Sequence, residues 1–167
     1  FGDVGIESMV AGPSEITVVA DKNTNVKEVL TSLIGQAEHD TNSQSILIVN
    51  NKNFIKSLKK DLKIELNKIP RKDIAKKSLL KNGLIIRAYN SKQIIDSINE
   101  IAPEHLELNL KNYKSIVSKI KNAGSICLGK YAVMAMTDYG VPGTNHILPT
   151  NMTSKYSSGL SVSEFVK

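Results

Sequence analysis

The 167-residue sequence has no tryptophan, a single cysteine, three phenylalanines and five tyrosines. With only Cys127, no internal disulfide can form, which fits a reducing compartment. No apolar run approaches the roughly 18 residues that a membrane span requires, and no basic-then-apolar leader opens the chain. A cytoplasmic location without membrane contact is therefore expected. The glycine fingerprint G-x-G-x-x-G is missing, so no dinucleotide-binding turn is marked. There is also no internal repeat and no low-complexity linker.

Apolar residues make up 41% and charged residues 23%, the balance of a globular domain with its own core. The net charge of +6 points first to nucleic acid. Most of the excess lies between Lys56 and Lys81, which holds ten basic residues against Asp61, Glu65 and Asp73. Only Arg71 among the ten is an arginine, and no aromatic is interleaved. Base readout and stacking use arginine and aromatic rings, so a solvated helix face is the expected reading and no nucleic-acid partner is assigned. The chain opens at Phe1 in mid-pattern and is expected to be a piece of a longer protein.

Helical and extended patterns alternate. "EITVVA" (15–20) and "SILIVN" (45–50) read as buried strands, and "LIIRAY" (84–89) as a third. Val26, Val29, Leu30, Leu33, Ile34 and Ala37 recur at helical spacing behind a Thr24 or Asn25 cap. Phe54, Leu58, Leu62, Leu66 and Ile69 mark a second helix stopped by Pro70, and a third runs from Lys72 to Asn82-Gly83. Ser91 opens a fourth, closed before Pro103. "LELNL" is a short strand, "NYKSIVSKIKNAG" a further helix and "SICLG" the last strand. The pattern predicts an α/β fold, a Rossmann-like, largely parallel sheet with flanking helices, over residues 15–150. Residues 1–14 read as the end of a preceding domain or linker, and 151–167 as the start of a C-terminal segment. From Tyr131 onward the chain is rich in Gly, Pro, Thr, Ser and Asn, and is expected to hold an active-site loop. In sheets of this kind, functional residues are expected beyond the carboxyl ends of the strands.

Three histidines stand at element ends. In "QAEHD", Gln36 and His39 are three apart and project from one side of a helix. An amide oxygen and an imidazole at that spacing can share a divalent metal, with Asp138 as a further oxygen donor; a fraying helix end is the competing reading. In "TDYGVPGTNHILPT", Asp138 and His146 are flanked by turn residues that let backbone approach a ligand. In "PEHLE", Pro103 pushes Ala102 out of the helical region and holds Glu104 and His105 at an element boundary. Adjacent strand residues point to opposite faces, so the pair can serve two different proton transfers: His105 as a base near neutral pH, Glu104 as the activator of a water.

Taken in order, "AGPSEITVVAD", "QAEHDTNSQSILI", "APEHLEL", "GTNHILPT" and "SSGLSVSEF" resemble histidinol dehydrogenase, over the whole of residues 1–167. The resemblance implies oxidation of L-histidinol through L-histidinal to L-histidine, the last two steps of histidine biosynthesis, with two NAD and a bound Zn2+. It implies that Gln36, His39 and Asp138 are zinc ligands, that Glu104 activates water, that His105 is the general base, and that Ser14 and His146 contact substrate. Gln36, His39, His105 and Asp138 then also face the substrate. One departure stands out: "DYGVPGTNH" is one residue longer than the family spacing between Asp138 and His146. The resemblance also implies NAD contacts upstream of "GPSE", and a further zinc histidine and a substrate-binding glutamate downstream of "SEF", supplied across a homodimer. On that basis the isolated piece is expected to be inactive. A second class stays open, a non-catalytic binding or assembly module whose basic stretch docks an acidic partner.

Overall fold

The computed structural model describes residues 11–139 and 147–166, without the side chain of Asp138. Residues 140–146 of the Gly/Pro-rich loop, with His146, fall outside the described residues, as do residues 1–10. The elements run β1 (Glu15–Ala20), α1 (Val26–Ala37), β2 (Gln44–Val49), α2 (Lys52–Leu66), α3 (Lys72–Asn82), β3 (Leu84–Ile86), α4 (Ser91–Ile101), β4 (His105–Asn109), α5 (Lys114–Val117) and β5 (Ser125–Leu128). Short 3-10 turns follow at Met134–Tyr139, Thr153–Lys155 and Val162–Phe165.

The five strands form one sheet in the order β3-β2-β1-β4-β5, and every pairing is parallel. Helices cover both faces, so the central strands have no solvent face, and all six residues of β1 are buried, Glu15 and Thr17 among them. Ile16, Val18, Leu47 and Val49 pack with Val29, Leu30, Leu33 and Phe54 under α1 and α2. Val19, Ile46, Ile48, Leu106 and Leu108 pack with Ile98 under α4 on the other face. Each fully buried Val, Leu or Ile contributes about 1.5–3 kcal/mol, so these two clusters dominate the stability of the sheet. Among the described residues, no helix is long and apolar enough to cross a membrane.

Three elements are shorter than their patterns predict. Strand β3 stops at Ile86 rather than Tyr89. Helix α2 ends at Leu66, where Asn67 turns its amide back onto the Lys63 carbonyl, three residues before Pro70 acts. Helix α5 is one turn instead of three. Asn99 on α4 accepts from the Lys121 and Asn122 N–H groups, and Asn122 donates to the Asn99 carbonyl, which draws the chain out of the helix. The caps are asparagines: Asn25, Asn51 and Asn90 open α1, α2 and α4, the last displacing Ser91 from the expected role. All ten basic residues between Lys56 and Lys81 are exposed on α2, α3 and their connection, as a solvated face requires.

A candidate active site at the amino edge of the sheet

The candidate residues do not lie beyond the carboxyl ends of the strands, where the sequence pattern predicts a functional site. In a parallel βαβ chain each helix returns the chain to the amino edge. Ser14 immediately precedes β1, Gln36 and His39 close α1 on its way to β2, and Glu104 and His105 open β4. All of them stand at the amino edge.

Pairing of β1 with β4 sets Ile16 against His105, which puts Glu15 beside Glu104. The Glu15 N–H donates to Glu104 Oε2 at 2.9 Å. Glu104 Oε1 lies 3.6 Å from His105 Nε2. Both side chains are largely withdrawn from water, with 8% and 13% of their side-chain surfaces exposed. Burial is the main cause that pushes the Glu104 carboxyl up to about 7; the charge of Glu15 adds to it, and the Glu15 N–H opposes it. A carboxyl in that range is divided between acid and base at neutral pH, which suits it to proton transfer.

Strand alternation places His105 on the same face as Glu107. Glu107 is 1% exposed, accepts from the Met134 N–H at 2.7 Å and is hydrogen-bonded by Ser32 of α1. His105 therefore sits on the α1 face, the face to which the carboxyl end of α1 carries Gln36. Burial holds the Glu107 carboxyl above the usual range. Opposite it on β5, the Cys127 thiol is pushed up to about 11 by burial and then by the Glu107 charge, which keeps it protonated and unreactive.

Gln36 is 1% exposed and its Oε1 has no hydrogen-bond partner. The reading of "QAEHD" as a fraying end with an exposed glutamine thus fails. A buried bare amide oxygen costs about 1–3 kcal/mol, and a cation is one way to offset it; the donor set fits an oxygen-and-nitrogen metal site to that extent. His39 lies beyond the last helical residue and is exposed; its N–H returns to the Gln36 carbonyl, and its own carbonyl accepts from Arg71. Among the described residues, no three of His, Cys, Asp and Glu converge tightly enough to hold a metal by themselves. The backbone of Asp138 lies in the Met134–Tyr139 turn. Ser14 is half-buried, with its carbonyl accepting from the Gln44 N–H.

The segment after the loop closes over the same edge. Pro149 lies against Gly124, where a Cβ would meet the Glu104 carbonyl at 2.7 Å, so only glycine allows β5 to start beside Glu104. The Asn151 N–H donates to Glu15 Oε1 at 3.0 Å, and the Ser154 hydroxyl donates to the Ala102 carbonyl. Glu15 and Glu107 are absent from the residues singled out in the sequence. The available signal was their position: an acid inside a central parallel strand has no solvent face and must be buried.

A family model described as histidinol dehydrogenase matches residues 1–167. The histidinol dehydrogenase of Pelagibacter ubique is 60% identical over 167 residues, and that of Listeria monocytogenes 46%. Each match covers the whole chain and 39% of the relative, so the chain spans about two fifths of the curated relatives' length. A crystal structure of histidinol dehydrogenase from Elizabethkingia anophelis aligns at a TM-score of 0.88 and 37% identity, covering 95% of this chain and 36% of that one.

Proposed function

The chain belongs to the histidinol dehydrogenase family, and we propose that it is the part of such an enzyme that carries the proton-transfer groups for oxidising L-histidinol to L-histidine through L-histidinal with two NAD. The observation that carries this reading is the buried Glu104 carboxyl, raised to about 7 and 3.6 Å from His105.

Oxidation of a primary alcohol to an acid has two proton demands. The alcohol must lose its hydroxyl proton as hydride leaves the carbon, and a water must lose one as it adds to the aldehyde. His105, on the α1 face, is the base for the first. Glu104, half-ionised near pH 7 and shielded from bulk water, is the base for the second. Ser14, beside Glu15, and His146 are proposed to contact substrate. Gln36, His39 and Asp138 are proposed to hold Zn2+, with the bare Gln36 Oε1 as the support within this chain. Zinc, when bound, would orient the amine and imidazole of the substrate and make no redox contribution. NAD contacts and the remaining ligands are assigned to parts of the enzyme outside this sequence, with a homodimer and a cytoplasmic setting.

The test is turnover. The full-length enzyme should reduce NAD with L-histidinol, and residues 1–167 alone should not. Clear activity of the isolated chain would mean that the site is complete within it, and an inactive full-length protein with zinc bound would sink the substrate assignment.

A further inference from the structure

Three non-glycine residues among those described have left-handed backbone: Ala102 (φ 51°), Asn151 (φ 54°) and Met152 (φ 64°). All three stand at the amino edge. Such conformations persist only where the surroundings over-determine them, and they gather where geometry is used. Ala102 leads into Glu104; Asn151 and Met152 follow the segment that carries His146. The Ser154 hydroxyl joins the two strained corners through the Ala102 carbonyl. Glu15 joins them a second time, and more directly, by giving its N–H to Glu104 Oε2 and taking the Asn151 N–H on its own Oε1.

We propose that Glu15 is a positioning residue that locks the Glu104 carboxylate and the Asn151 corner into one unit, fixing residues 147–157 relative to the proton-transfer pair. A plain tether would not need an acid. Glu15 is 9% exposed, and its Oε2 has no hydrogen-bond partner. A glutamine would accept the same N–H without a bare buried carboxylate oxygen. Retaining the acid places a second carboxyl beside Glu104, and that is a charge effect. Among the described residues, His105 lies against Glu104 from β4, and Lys155 of the C-terminal segment is engaged by Glu100 at 3.6 Å.

The inference rests on the proposed function only for its catalytic readout. In the full-length enzyme, Glu15→Ala should raise amide exchange across 147–157 at least tenfold and lower kcat at least tenfold, with zinc content unchanged. Glu15→Gln should restore the protection and most of the lost kcat relative to Glu15→Ala. It should also move the acidic limb of the kcat profile slightly to lower pH, because burial still holds Glu104 up but the neighbouring charge that adds to it is gone. Unchanged exchange in Glu15→Ala overturns the lock. An unmoved acidic limb in Glu15→Gln overturns the charge effect, and this variant decides the matter if Glu15→Ala does not fold. Should the wild-type enzyme prove inactive on histidinol, the substrate assignment fails, and the exchange arm still tests the lock.

Discussion

The two ends of this sheet are built differently. At the carboxyl end the helix caps are satisfied within three residues, while Asn109 is buried with a bare Oδ1. Asn25, Asn51 and Asn90 cap three helices, and Asp21 accepts from the Asn23 and Lys111 N–H groups. At the amino end, Glu15, Gln36 and Glu104 are buried, Glu15 bonds to residues 89 and 136 positions away, and Glu15 and Gln36 each keep a bare oxygen. Parallel pairing and helical cover are shared by both ends, so topology does not make the difference. The difference is that the amino end buries three acidic or amide side chains at one edge of the fold, at a cost in stability, where the carboxyl end uses Asn25, Asn51 and Asn90 as helix caps.

The contrast can be broken most sharply at His105. Replacing it by Asn in the full-length enzyme should cut kcat by about 10²–10⁴, the usual worth of a positioned base, with zinc content and melting temperature close to wild type. Near-normal turnover would remove His105 from the proton path.

Glu104 sharpens the contrast in the other direction. A carboxyl raised from 4.5 to about 7 on folding binds its proton more tightly in the native state. The native state therefore loses stability as pH rises through that window, and the loss is complete above it. Glu104→Gln, which keeps an acceptor for the Glu15 N–H, should gain about 1–3 kcal/mol at pH 8 and nothing at pH 4, while losing aldehyde oxidation. Denaturant titrations at the two pH values would check it; equal effects at both would place the cost of Glu104 in packing rather than in charge.

The smallest effect belongs to the carboxyl end. Asn51 accepts from the Asn53 and Phe54 N–H groups at the start of α2. Asn51→Ala should cost about 1 kcal/mol in unfolding free energy and leave kcat unchanged. A drop in kcat would mean that the carboxyl end is not the passive scaffold described.

Legibility in the sequence follows the range of the interactions. Strands β1 and β2 and helix α1 carry their own periodicity and caps, and their limits match the pattern to within a residue or so. Helix α5 does not, because Asn99, some twenty residues back, decides where it ends. The motifs around Gln36, Glu104 and His105 could be named from the sequence, but not the edge they share. That depends on the return path of α1 and on the pairing of β1 with β4. Glu15 was hidden inside a strand pattern, where only its burial against Glu104 gives it a role.

The bonds made by Glu15 also say something about time. They span 89 residues to Glu104 and 136 to Asn151, whereas each asparagine cap is made within three residues. During synthesis the asparagine caps of the carboxyl end can form as each helix emerges, while its bonds from Thr24 to Asn109 and from Lys111 to Asp21 wait for β4. The amino end has to wait until residue 151 is available, since closing contacts of such separation comes late. A chain stalled between residues 112 and 150 would thus carry the three asparagine caps and an unfinished amino edge.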